Sequence, residues 1–279
     1  MLKMKKLLLA VCLLSISAAA SLAQNNDKIT KVTLSQLEID RIIKKTTENE
    51  GIFRNALNNY SFKRDALTQT IGFGAGQITG EYHRTSVFTF DDSGTKYEKI
   101  LFFPMSTLKE IEFTTEDLED LGGVTPYALE PKNAALYNYT FVGKEKIDDL
   151  DLYVFDVAPK VMPDPGKKIR LFKGRIWIED RDLQIVKSKG KGVPETKKYK
   201  YPIVETWREN IGGKYWFPTY ATSDDELTFD SGSTVKLRMR VKYTDYKEAS
   251  ATVRVLEDTE EVAPDKPQPS PTPAPAKKP

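Results

Sequence analysis

The sequence predicts a mainly β fold with some α, in which one strongly curved antiparallel sheet of about ten strands carries helices against one face. Three observations lead there. Most of the chain alternates apolar and polar residues with period two. Short turn-forming clusters separate the alternating runs. A single long helical pattern precedes them all.

That helix opens at Ser35-Gln36-Leu37-Glu38, a capping box in which the serine hydroxyl and the glutamate carboxylate satisfy free N–H groups. Leu37, Ile42, Ile43, Phe53, Ala56 and Leu57 follow at helical spacing, with an interruption expected near Gly51. A short second helix is expected at Thr114–Leu121, where Thr114 caps, Asp117 lies three residues on and Gly122-Gly123 stops it. Strands are expected at Tyr60–Phe73, Gly80–Phe90, Tyr97–Phe103, Tyr137–Lys146, Leu150–Val157 and Arg170–Glu179. Four more follow at Leu183–Ser188, Ile203–Asn210, Lys214–Thr222 and Thr234–Thr244. The last is the clearest. Val235, Leu237, Met239, Val241 and Tyr243 share one face, and Lys236, Arg238, Arg240 and Lys242 the other. Asp92-Ser93-Gly94, Asp180-Arg181-Asp182, Ile211-Gly212-Gly213 and Asp230-Ser231-Gly232 supply turns, so the strands read as sequential hairpins.

The ends differ from the middle. Lys3, Lys5 and Lys6 precede an apolar run from Leu7 to Ala20, and Ser21-Leu22-Ala23 presents a small-residue cleavage site before Gln24. Residues 1–23 therefore read as a secretory signal peptide, removed on export to the periplasm or, alternatively, out of the cell. Its removal takes the only cysteine, Cys12, and excludes thiol chemistry and disulfides. It also takes three of the 42 basic residues and none of the 40 acidic ones, turning a formal +2 into about −1. Nothing in that balance points to nucleic acid. Residues 24–258 read as one domain, and residues 259–279, with alternating prolines, as a disordered tail.

Several chemistries find no support. His83 is the only histidine, and neither a zinc ligand set nor a Gly-x-Ser-x-Gly elbow accompanies it. It reads as a partly exposed strand histidine. Gly72, Gly74, Gly76 and Gly80 lack the Lys-Ser/Thr of a phosphate loop and run into a strand. Asp91-Asp92-Ser93-Gly94 and Asp224-Asp225-Glu226 do not have EF-hand spacing. No catalytic residue, metal site or cofactor is expected. Lys187, Lys189, Lys191, Lys197, Lys198 and Lys200 surround Gly190, Gly192 and Pro194. They read as a solvated hairpin loop, or as a mobile cationic loop that touches an anionic membrane surface or an envelope protein.

What the sequence does support is apolar and aromatic. Strand phase nominates Phe88, Phe90, Trp177, Trp207, Leu237, Met239 and Val241 as the lining of a ligand cavity, against the plainer reading of ordinary core packing. The helix ending at Asn59-Tyr60-Ser61-Phe62, the pair Gly143-Lys144-Glu145-Lys146-Ile147 and Leu152–Lys160, and Gly174-Arg175-Ile176-Trp177-Ile178-Glu179-Asp180 before Leu183-Gln184-Ile185-Val186-Lys187 form a recognisable series. Over about residues 35–250 this series resembles the LolA-like superfamily of periplasmic outer-membrane lipoprotein-sorting proteins, which includes LolB and the RseB-like sensors. The resemblance implies an incomplete (half) β-barrel under a helical lid, with a hydrophobic cavity for acyl chains of lipoproteins or phospholipids. It implies a carrier without enzymatic activity or, as the alternative, a sensor or scaffold that binds a protein partner.

Overall fold

A computed structural model describes residues 29–248 apart from 75, 92, 115–116, 118–128 and 168. The leader, the proline-rich tail and most of the second expected helix lie outside the described residues. Of that helix Thr114 and Asp117 are described. The Asp117 carboxylate accepts from the Thr114 backbone N–H at 2.9 Å, and the Asp117 N–H donates to the Thr114 hydroxyl at 3.1 Å. This reciprocal pair is the cap the sequence announced. No described helix is long and apolar enough to cross a membrane.

Helix α1 spans Gln36–Leu57, and the Ser35 hydroxyl caps it by accepting from Glu38 N–H. It continues through Gly51, contrary to the expected interruption. A Cβ there would lie 3.3 Å from the ring of Pro131, so the glycine lets the four-residue helix α2 (Pro131–Ala134) approach without breaking α1. Ten strands follow the positions read from the sequence: β1 (Tyr60–Ile71), β2 (Ile78–Phe90), β3 (Lys96–Phe102), β4 (Tyr137–Ile147), β5 (Leu150–Pro159), β6 (Leu171–Glu179), β7 (Ile185–Val193), β8 (Val204–Ile211), β9 (Tyr215–Thr228) and β10 (Thr234–Glu248).

All ten form one antiparallel sheet in the order β3-β2-β1-β10-β9-β8-β7-β6-β5-β4. The hairpins are sequential except at one place. β3 and β4 do not pair and become the two edges, while the first strand joins the last, Tyr60 opposite Glu248 and Ile71 opposite Lys236. The sheet is therefore open. Register shifts between β1 and β10, β4 and β5, β6 and β7, and β8 and β9, among others, bend it as β-bulges do.

α1 lies across one face and joins two apolar clusters. Ile42 meets Tyr153, Phe155, Ile176, Ile178 and Ile185 of β5–β7. Phe53, Ala56 and Leu57 meet Tyr60, Phe62, Phe217, Val241 and Tyr243 of β1, β9 and β10. Between the clusters, Arg208 of β8 forms a two-pronged ion pair with Glu50 at 2.6 and 3.0 Å, both side chains 3 % exposed. The same guanidinium stands 4.2 Å over the Phe53 ring. One residue earlier, Asn49 donates to the carbonyls of Asp182 and Leu183 in the β6–β7 turn. A smaller cluster of Leu152, Val154, Trp177 and Val186 occupies the opposite face.

The turn from β2 to β3 explains one acidic cluster. Asp91 accepts from the Ser93 hydroxyl, the Thr95 N–H, the Tyr97 hydroxyl and the Ser93 N–H. The Ser93 hydroxyl first, then the Thr95 amide, hold its carboxyl down at about 2.

Two outcomes are expected. Glu50→Ala leaves Arg208 buried without its partner and costs about 3–5 kcal/mol in urea unfolding, whereas Glu50→Leu with Arg208→Leu costs far less. Equal losses in both variants would show that the charges contribute nothing beyond their packing. In carboxyl-detected NMR, Asp91 titrates at about 2. Because this folded value lies below the unfolded one of about 3.9, the turn's stabilisation is complete above that pH and is lost as pH falls toward 2.

Candidate functional site

The face that carries α1 is only half covered by it. The helix sits over the end of the sheet that holds the starts of β7 and β9 and the end of β10. At the other end a strap, residues 103–114 after β3, turns back over the sheet. Thr107 N–H donates to the Glu81 carbonyl and its hydroxyl accepts from Glu81 N–H, both at 2.9 Å. A Cβ on Gly80 would fall 2.8 Å from the Thr107 carbonyl, so only glycine permits this approach. Glu110 accepts from the Thr70 hydroxyl at 3.1 Å, and Tyr82 receives Phe103 and Phe113 at ring distances of 5.3 and 5.0 Å. Beyond the strap Asp117 holds Arg170 at 2.8 Å, and the Arg170 guanidinium stacks 4.3 Å over Tyr201. The chain is thus fastened on both sides of the gap it covers.

Under the strap lies a cavity of about 560 Å³. Its floor is apolar: Phe172, Val204, Leu227, Phe229, Leu237 and Met239. β7 contributes Ser188, Gly190 and Gly192 to the lining, and side chains of Phe172, Arg170 and Tyr201 lie over the two glycines. The Phe172 ring lies against Gly190, where a Cβ would come within 2.6 Å of it.

Of the seven residues nominated from strand phase, Leu237 and Met239 line this cavity. Phe88, Phe90 and Val241 belong to the cluster around the second half of α1, with Phe88 stacked on Phe62 at 5.2 Å. Trp177 and Trp207 lie on the face away from α1, with the Lys187 ammonium between them at 4.6 and 4.3 Å from the ring centres. The six lysines are likewise divided. β7 runs on to Val193, so Lys187, Lys189 and Lys191 are strand residues and not part of a mobile loop. Lys187, its side chain 10 % exposed, pairs with Glu205 at 3.4 Å, and so does Lys189. Lys191 pairs with Glu195 and Lys200 with Asp230, and both lysines line the cavity, as does Lys198. Lys197 is exposed in the loop.

His83 binds Asp65 through Nε2 at 2.9 Å and meets Phe102 edge-on. Burial pushes the Asp65 carboxyl up, but hydrogen bonds from Thr85 and His83 outweigh it and leave the group below its ordinary value. Among the described residues no three His, Cys, Asp or Glu side chains converge as metal ligands would. The strap and the small residues of β7 were the features that sequence reasoning missed. A run of serine and glycine inside a strand was their one signal.

Compared with known protein families and with curated proteins, the sequence matches none. Solved structures with similarity to the chain include a LolA superfamily protein of Nitrosomonas europaea, 17 % identical, covering 75 % of this chain and 92 % of that one at a TM-score of 0.33. A DUF1329 family protein of Desulfovibrio piger is 12 % identical over 76 % of this chain and 94 % of that one, with a TM-score of 0.40. A domain described as an outer-membrane lipoprotein-sorting protein, from Vibrio parahaemolyticus, is 11 % identical over 75 % and 94 %, with a TM-score of 0.35.

Gly190→Ala sets a methyl group against the Phe172 ring and the Lys173 carbonyl. It is expected to destabilise the protein by about 1–3 kcal/mol in thermal unfolding. An unchanged melting temperature would mean that Phe172 does not depend on the missing Cβ.

Proposed function

We propose that residues 24–258 form an exported, non-enzymatic binding domain that shelters the acyl chain of a lipid or lipoprotein under the strap. The observation that carries this reading is the cavity itself, whose size falls in the range of about 300–1,000 Å³ usual for small-molecule sites and whose floor is formed by six apolar side chains. Each methylene moved from water onto that floor gains about 0.8 kcal/mol, so even part of an acyl chain binds usefully. Carrying or sorting between envelope membranes follows when the strap parts to admit and release the chain. Leu237 and Met239 are the residues from which the ligand takes its main contact. The contact with a membrane surface or an envelope partner is assigned in this reading to Lys198 and Lys200 of the loop beside the cavity.

The alternative, a sensor or scaffold for a protein partner, draws on a different observation. Every residue of edge strand β3 is exposed, and Ile100, Leu101, Phe102 and Phe103 are each about half accessible. Exposed edges of this kind accept an added strand.

Native mass spectrometry of the purified protein, followed by organic extraction, tests the first reading. Near-stoichiometric lipid or acylated peptide is the expected result, and Leu237→Asp with Met239→Asp abolishes uptake of a fluorescent fatty acid while the fold persists. A wild-type protein that is empty and takes up no probe would refute lipid binding and leave the partner reading.

A further inference from the structure

The rim of the same cavity bears on what the other end of its ligand carries. Its two banks differ in charge. The loop after β7 brings Lys198 and Lys200, and β7 itself Lys191. The strap opposite brings Glu110 and Glu112 beside Lys109. Glu110 is already occupied: burial pushes its carboxyl up, but its own backbone N–H and the Thr70 hydroxyl hold it below the usual value. Lys191 and Lys200 rest on Glu195 and Asp230 at 3.0 and 3.1 Å, carboxylates that are themselves 27 % and 48 % exposed. Lys200 is itself mostly buried, 16 % exposed, so its ammonium is held in place at the edge of the cavity. Lys198 is exposed and has no carboxylate within ion-pair distance among the described residues. The loop bank therefore offers the ammonium groups of Lys198 and Lys200 beside an apolar floor, and the facing bank offers carboxylates.

We propose that the cavity takes an anionic amphiphile, with the acyl chain on Phe172, Leu237 and Met239 and a carboxylate or phosphate head held at Lys198 on the loop bank. The inference rests on the acyl-binding reading above and adds to it the charge and the orientation of the ligand. The carboxylates of the strap repel the head toward the lysine bank, so the chain enters in one direction. Neutral and zwitterionic heads find no such preference.

The test uses the full chain and three probes of equal acyl length: lysophosphatidylglycerol, lysophosphatidylcholine and the free fatty acid. At low salt lysophosphatidylglycerol is expected to bind about fivefold or more tightly than lysophosphatidylcholine, the scale of one or two partly exposed charge contacts. The ratio falls as salt screens the rim. Lys198→Ala lowers the ratio and Lys198→Glu brings it to about one. A preference shared by the fatty acid assigns the selectivity to negative charge of either kind, and one confined to lysophosphatidylglycerol assigns it to a phosphodiester whose charge no choline cancels; either supports the proposal. Equal affinities in the unaltered protein, or a preference that survives Lys198→Glu, would overturn it. If none of the three probes binds, the acyl-binding reading itself has failed.

Discussion

The buried contact between Glu50 and Arg208 decides where α1 lies on the sheet, and the rest of that face is arranged around it. A guanidinium taken out of water needs both oxygens of a carboxylate in a fixed plane, and a charged pair so placed tolerates little sliding. With Phe53 under the guanidinium and Asn49 on the β6–β7 turn, three successive contacts of one helix turn set its position in both directions. The helix thereby covers one end of the strands and stops. What remains of the face is too apolar to stay in water and too sparsely filled to close on itself, and the strap covers it.

This division of labour separates two kinds of packing. Under α1 the side chains are large and interlock: Phe155, Ile176, Ile178, Phe217 and Val241 are all essentially inaccessible. Under the strap the β7 row is serine and glycine, and the covering chain is held by backbone bonds to Glu81 and by single ionic and hydroxyl contacts. Contacts of the second kind are individually weak, so this half of the molecule opens at a smaller cost than the half under the helix. A binding protein needs that contrast, because a ligand enters only where the cover gives way before the scaffold does.

The strands were legible because each alternates locally, and β10 was read in the correct phase because charged residues occupy every second position. Trp177 shows where the signal stops. It stands between Ile176 and Ile178, and three apolar residues in a row give no phase. The face of such a strand is settled by partners far away in sequence, here Lys187 and Trp207. The cavity was hidden for a related reason. Glycines and lysines at the end of β7 carry the composition of a loop, and only the neighbouring Phe172 and β8 reveal them as strand. The union of the first and last strands has no local signature at all.

That union bears on how the molecule comes into being. Strands β4 to β10 pair in the order in which they are made, but β1, β2 and β3 find their place only against β10. The C-terminal half of α1 also waits, since Phe217, Val241 and Tyr243 are contributed by β9 and β10. Joining β1 to β10 thus closes a loop spanning nearly the whole domain, and topologies rich in such long-range contacts fold slowly. Until β10 is present, the hairpin of β1 and β2 has one edge of β1 without its partner strand.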